Sequence, residues 1–343
     1  MTYVKQYLLS HQQFAHAIRV TAALAFAMAF DYLTQIPHSL WGPITVSVVM
    51  IQPHDGAIVH KGFQRIVGTL VGASLGLVTL LFPSQMPYLV PMWILLVCFL
   101  LTLRTQGQYS YLFFLCALTL LIVGYQGDSD TELSVALWRV TNILIGALIA
   151  MAFSRLFPIR ATSAWKHLIG QMYTNLKTLY LAHCSSHLPS DNHLIELRKK
   201  VITDHLKMSN LTANIGKEQA TCIELYTEYL RTQRTLIALV EQLVDTHWSS
   251  SLGHQQLLSN DELKHYQRCI GELFIQLEKG ELDDVTIPEP LVLSDMGKKL
   301  AHSDEFDQAD FKLGPYGYLW LTRQLLRNLD TLFEQKRQLD RLN

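Results

Sequence analysis

Arg19, Asp31, Gln52, His54, Asp55, Arg65 and Arg139 are polar or charged side chains within stretches otherwise dominated by Ala, Val, Leu, Ile and Phe. An ionised group in hydrocarbon is costly, so such residues pair with one another or face a water-filled cavity. An arginine there presents a planar fork of donors that fits a carboxylate. Arg19 is flanked by Ala17, Ile18 and Val20. If Arg19 and Arg65 line one cavity, that cavity attracts anions, with Gln52, His54 and Asp55 as further ligand contacts. The charges of His54 and Asp55 change on protonation, and Asp31 lies twelve residues beyond Arg19. These three are the candidates for coupling to protons. Asp31 has a second reading as a helix-end residue at the interface. For Arg139 two ordinary readings stay open, snorkelling to headgroups and pairing with Asp130 or Glu132.

Four of these residues frame the stretch VVMIQPHDGAIVHKGFQR, residues 48–65. An apolar run from Trp41 to Ile51 meets Gln52-Pro53-His54-Asp55-Gly56 and then resumes at Ala57. Proline removes a donor and frees carbonyls that lipid cannot satisfy, so a break there must be covered by protein or water. A short span interrupted by Pro or Gly points to a transporter site. The alternative is a helix that leaves the membrane at Pro53, with a loop beyond it.

The elements that must position these residues follow from the charge distribution. Residues 1–159 hold seven basic and five acidic side chains, leaving 21 of the 28 basic and 24 of the 29 acidic residues to 160–343. Two halves so different in charge imply two solvents, lipid for the first and water for the second. A hydrocarbon core of about 30 Å calls for roughly 17–25 helical residues. Six segments qualify: 14–34, 39–59, 64–82, 88–104, 109–126 and 135–157. Val20–Phe30 is read as a retained first span, because Asp31 and five further apolar segments follow it. Lys5, Lys61, Arg65, Arg104, Arg155, Arg160 and Lys166 flank alternate ends, while Gln35–His38 and Pro83–Pro87 carry no Lys or Arg. By the positive-inside rule both termini face the cytoplasm. Trp41, Tyr88, Trp93, Tyr109, Tyr125 and Trp138 fall near span ends and read as interface anchors.

Gly68, Gly72 and Gly76 are four apart and make one helix face on which another backbone packs closely; Gly146 and Ala150 repeat the spacing. An internal echo accompanies them. Arg65 is followed by Gly72 and Pro83, and Arg139 by Gly146 and Pro158. The loop charges make these two spans run in opposite directions, as inverted repeats of three helices would.

From Ala161 onward the pattern is that of amphipathic helices, expected over 161–184, 191–213, 219–249, 260–279, 290–301 and 314–341. The fold class is therefore all-α, a six-helix transmembrane domain (1–159) followed by a cytoplasmic helical bundle (160–343). This half offers little chemistry. His183 and His187 are two ligands short of a structural metal site. Asp304-Glu305-Asp307-Asp310 lacks the glycine and spacing of a calcium loop. There is no Gly-rich phosphate loop and no GxSxG elbow. Cys98, Cys116, Cys184, Cys222 and Cys269 form no CxxC pair. No cofactor, metal or enzymatic activity is expected, and a formal charge of −1 gives no reason to expect a nucleic-acid partner.

WGPITVSVVMIQPHDGAIVHKGFQRIVGTLVGASLG, residues 41–76, resembles the fusaric acid resistance and aromatic acid exporter superfamily. The pattern is a tryptophan opening span 2, a TVxVVM run, a broken polar stretch, and an arginine just before GTxxGxxxG. ALWRVTNILIGALIAMAFSRLFPIRA is similar to that family's last span, and GPYGYLWL to the ending of its small bacterial inner-membrane members. Plant aluminium-activated malate transporters look similar in spans 2–3. The resemblance implies a bacterial inner-membrane homodimer that exports small organic anions, aromatic carboxylates among them, by secondary transport. In some relatives a periplasmic adaptor takes part; the short outer loops here give one little to grip. Arg65, Gly68, Gly72 and Gly76 match the motif directly, whereas Arg19 and Asp31 rest on the physical argument alone. A passive anion channel and a membrane scaffold or sensor remain the alternative readings.

Overall fold

The computed structural model describes residues 12–83, 85–125, 130–185, 191–219, 222–247, 261–280, 287–288 and 315–342. Among these, every regular element is helical. The chain divides into two compact units, Met1–Ala161 and Thr162–Asn343.

The first unit contains α1 (Gln12–Thr34), α2 (Trp41–Val49), α3 (Asp55–Leu77) with a 3-10 turn over Val78–Leu81, α4 (Leu89–Thr102), α5 (Ser110–Gly124) and α6 (Asp130–Leu156). Three stretches, Gln13–Thr34, Asp55–Leu81 and Leu133–Leu156, are long and apolar enough to cross a membrane, and α4 and α5 are shorter apolar helices. Large apolar side chains such as Leu33, Phe63, Leu81, Leu95 and Phe99 are exposed on the unit's outer surface. That is the composition of a surface made for lipid.

The expected second span, 39–59, is divided. α2 has nine residues, about 14 Å of helix at 1.5 Å per residue. It ends at Val49, and α3 begins at Asp55, so Ala57–Val59 belong to the third helix, which starts nine positions before the expected residue 64. Part of the reason is local. Pro53 has no N–H to donate and biases Gln52 away from helical geometry. His54 is extended (φ −96°, ψ 140°). Asp55 then suits the positive N-terminal end of the new helix.

α3 packs along α5, α6 along α2, and α3 against α6. Glycine makes the first two contacts. A Cβ on Gly72 would lie 2.4 Å from the Cys116 carbonyl oxygen and 2.8 Å from Thr119 Cβ. A Cβ on Gly146 would lie 2.4 Å from the Gly42 carbonyl oxygen and 2.9 Å from Thr45 Cβ. The two sets correspond: positions 42 and 116, 45 and 119, and 72 and 146 are each 74 apart, as are Arg65 and Arg139. The sequence echo is thus also a packing relation. α3 and α6 run antiparallel, since Gly62 faces Met151 while Ala73 shares a cluster with Ala136 and Val140. Thr69 on α3 and Ile143 on α6 lie between these two contacts along their helices. Trp93, expected as an interface anchor, donates its indole N–H to the Leu75 carbonyl at 3.1 Å, a protein partner that satisfies its polar edge.

The second unit holds α7 (Ala161–Cys184), α8 (Asp191–Glu218), α9 (Ile223–His247), α10 (Asp261–Lys279) and α11 (Pro315–Leu342). α8 runs five residues past the expected end at 213. The expected helix over 290–301, His187 and the acidic cluster at 304–310 lie outside the described residues. α11 buries Leu319, Leu325, Leu326, Leu329, Leu332 and Phe333 on one face and exposes Arg327, Asp330 and Glu334 on the other. Its Tyr318 hydroxyl meets His183 Nε2 at 2.8 Å, so that histidine nitrogen is engaged by a phenol. The Tyr173 and Tyr229 hydroxyls bond at 2.7 Å under the edge of Trp165. Burial pushes the Cys184 thiol up to about 12, which keeps it protonated and unreactive at neutral pH.

The glycine contacts give a prediction. Gly72→Ala and Gly146→Ala each force a methyl into a helical carbonyl, an overpacking cost of about 1–3 kcal/mol. Gly42→Ala would meet nothing closer than the Asn142 carbonyl at 3.7 Å. The first two variants lower the melting temperature of the detergent-purified protein, and the third leaves it unchanged or raises it.

Candidate functional site

Two polar centres lie in the first unit, and they differ in how their cations are neutralised. The first forms around Arg19. Its side chain is 1% exposed and that of Asp55 17%. Arg19 Nη1 donates to Asp55 Oδ1 at 2.6 Å and to the Phe157 carbonyl at 2.9 Å. Nη2 donates to the Pro53 carbonyl at 2.6 Å and meets His16 Nδ1 at 3.2 Å. Asp55 Oδ1 also accepts from the Ile159 N–H at 3.0 Å and the Ser154 hydroxyl at 3.4 Å. The Asp55 N–H returns a bond to the Ile159 carbonyl at 3.2 Å.

This arrangement has a simple cause. The break at Pro53 and the end of α6 before Pro158 both leave carbonyls without intrahelical donors. Inside an apolar unit each must find a partner. A guanidinium supplies several donors in one plane, and Asp55 compensates its charge. The centre therefore joins α1, the break, the start of α3 and the end of α6. The four terminal N–H groups of Arg19 all have acceptors there, leaving only Nε unpartnered.

The second centre forms around Arg65, which is 5% exposed. Its Nη1 lies 3.3 Å from the Tyr111 hydroxyl on α5, and its Nη2 3.3 Å from Thr45 Oγ1 on α2. Its Nε has no partner, and neither does the hydroxyl of Thr69, one turn further along α3. Among the described residues no carboxylate lies within ion-pair distance of Arg65. Lys61 Nζ sits 4.9 Å above the Tyr111 ring. Gln64 Nε2 donates to the Gln108 carbonyl at 2.8 Å and lies 2.8 Å from His60 Nε2.

The sequence candidates thus separate into groups. Arg19, Asp55 and the Pro53 carbonyl come together, with His54 buried beside them and its Nδ1 without a partner. Gln52 is exposed. Arg65 shares no partner with Arg19, so the structure does not bring the two arginines into one set of contacts. Asp31 lies at the far end of α1 and lines a small cleft with Thr34, Ser39 and Asn142. Gly68, Gly72, Gly76 and Gly146 sit at helix contacts. Arg139 is partly buried and its Nε has no partner; the side chains of Asp130 and Glu132 lie outside the described residues. Sequence reasoning missed Thr45, Thr69, Tyr111, Ser154 and the Phe157 carbonyl. The pairing of Arg19 with Asp55 had a signal, because Asp55 is the one acidic residue of 1–159 that falls at the Lys- and Arg-bearing ends of the apolar segments.

Among the described residues, a first unit made of helices, with large apolar side chains exposed on its surface and arginines buried within it, has the character of a multi-pass membrane protein. A family model described as the fusaric acid resistance protein family matches residues 13–311. The chain belongs to that family, whose members are membrane transporters and not enzymes. The resemblance drawn from residues 41–76 is borne out at that level. The inner membrane protein YeeA of Escherichia coli (strain K12) is 27% identical over 331 residues, covering 94% of this chain and 93% of YeeA. The inner membrane protein YccS of the same strain is 36% identical over 140 residues, 40% of this chain but 19% of YccS. The p-hydroxybenzoic acid efflux pump subunit AaeB of Escherichia coli O1:K1 is 25% identical over 170 residues, 45% of this chain and 25% of AaeB.

The first centre generates a stability prediction. Asp55→Asn leaves the buried Arg19 without its counter-charge, and breaking a buried pair from one side costs about 3–5 kcal/mol. The variant unfolds at lower denaturant in detergent, and Arg19→Gln combined with Asp55→Asn recovers part of the loss.

Proposed function

We propose that the protein is an inner-membrane secondary exporter of organic anions, aromatic carboxylates among them, with Arg65 as the anion-binding residue. The observation that carries this reading is the company Arg65 keeps. A buried guanidinium with only two long hydroxyl contacts and an unpartnered Nε is left without a counter-charge, which is costly in a low-dielectric interior. An arriving carboxylate supplies both the charge and the missing acceptors. Tyr111 and Lys61 beside it favour a ligand that is anionic at one end and aromatic at the other. The printed function of AaeB, efflux of p-hydroxybenzoic acid, supports the substrate class, and the names of YeeA and YccS support the inner membrane.

The remaining parts of the reading rest on the sequence. Six helices, with the short α2 covered by its neighbours, make up the membrane domain, both termini face the cytoplasm by the Lys and Arg bias, and residues 160–343 form a cytoplasmic helical domain. Two copies work as a homodimer. Proton coupling falls to Asp55, because protonating it removes the charge that holds Arg19; His54 and Asp31 are the further titratable groups.

The test uses the full chain in liposomes loaded with benzoate or p-hydroxybenzoate. Arg65→Gln lowers efflux at least tenfold with an unchanged melting temperature, Arg65→Lys retains part of it, and Tyr111→Phe lowers it severalfold. Efflux at the wild-type rate in Arg65→Gln rejects the assignment.

A further inference from the structure

The packing relation at an offset of 74 residues makes Arg139 on α6 the counterpart of Arg65 on α3. We infer that Arg139 is a second carboxylate station, reached from the opposite side of the membrane, and that the anion passes between the two arginines by way of the Thr69 hydroxyl. The inference rests on the anion-transport reading above and adds a residue and a route to it.

Three observations carry it. First, the two arginines occupy equivalent places. Each lies seven residues ahead of the glycine at which a neighbouring carbonyl would come within 2.4 Å of an added Cβ, Gly72 against Cys116 and Gly146 against Gly42. Because α3 and α6 run antiparallel, Arg65 and Arg139 lie on opposite sides of the level of Thr69 and Ile143, each four residues or roughly 6 Å along its helix from it at 1.5 Å per residue. Second, both guanidinium groups carry a buried Nε with no partner among the described residues. Third, on α3 between its two contacts with α6, the hydroxyl of Thr69, 1% exposed, has no partner either. A hydroxyl buried in an apolar crossing without a bond is costly to keep. An anion handed from one arginine to the other would meet it midway. Sites near the midplane, at the interface of inverted repeats, are where alternating access operates.

The hydroxyl inventory around Arg139 also corresponds in part. The counterpart of Thr45 is Thr119, whose hydroxyl donates to the Leu115 carbonyl at 2.8 Å and keeps its acceptor lone pairs. The counterpart of Tyr111 is Pro37, whose carbonyl is taken by Asn142 at 2.8 Å. Of the two hydroxyl contacts of Arg65, the Arg139 side thus keeps a counterpart for one, Thr119, and none for the phenol.

The experiment is exchange of labelled benzoate, at equal concentration on both sides of liposomes holding the full chain. Exchange needs both stations, so Arg139→Gln lowers its rate at least tenfold, as Arg65→Gln does, while Arg139→Lys stays within about threefold of wild type. A merely structural arginine would not distinguish Lys from Gln in rate at equal melting temperature. Thr69→Val, nearly isosteric and therefore expected to fold, lowers exchange severalfold and is the deciding arm if Arg139→Gln is unstable. Wild-type exchange in both Arg139→Gln and Thr69→Val overturns the second station while leaving the Arg65 site standing. A wild-type protein that neither binds nor exchanges benzoate or p-hydroxybenzoate overturns both readings.

Discussion

Much of the first unit depends on one ion pair, Arg19 with Asp55. It exists because the chain breaks at Pro53 and α6 stops before Pro158, and both events leave carbonyls inside an apolar unit. Water would solve that problem at a surface. Here the solution is a single guanidinium that takes the Pro53 and Phe157 carbonyls together, with Asp55 neutralising it and accepting the Ile159 amide in turn. Removing any member leaves charge or backbone without a partner, so the group behaves as a unit. α1, the break after α2, the start of α3 and the end of α6 are joined through it.

The contrast with Arg65 follows from the same energetics. Both arginines are buried, and both belong to the small set of charges in a charge-poor half. Arg19 has a carboxylate at 2.6 Å and acceptors for its four terminal N–H groups. Arg65 has two hydroxyl contacts at 3.3 Å, near the outer limit of a useful bond. A satisfied cation stabilises a fold and has nothing left to offer a ligand. An under-satisfied one is tolerated where something else completes it, which is why function is assigned to Arg65 and architecture to Arg19.

This division explains what was legible in the sequence. The helical class, the shift in character near residue 160 and the apolar segments were readable because hydropathy and charge act locally and sum over many residues. The break at Pro53 was readable, but its outcome was not. Whether Ala57–Val59 closed the second span or opened the third depended on Asp55 finding Arg19 and Ile159, partners 36 and 104 positions away in the chain. Arg19 and Arg65 were grouped as candidates by residue type, and the sequence could not say which partners each would meet. Residue type marks a buried charge, but only packing decides whether a carboxylate is beside it. Thr45, Thr69 and Tyr111 gave no signal, since lone hydroxyls in apolar helices ordinarily bond back to their own helix, as Thr119 does.

The internal relation between the two halves of the first unit has one further consequence. It is close in packing and unequal in charge. Glycines, their facing carbonyls and the two arginines correspond at the same offset, yet the position equivalent to Arg19 is Trp93, whose indole N–H goes to the Leu75 carbonyl. One half is thus closed by a charged joint and the other by a neutral hydrogen bond. Two conformations related by an internal two-fold would have equal energy if the halves were identical, and a ligand with equal affinity for both would shift nothing. An ionic joint on one half alone removes that degeneracy.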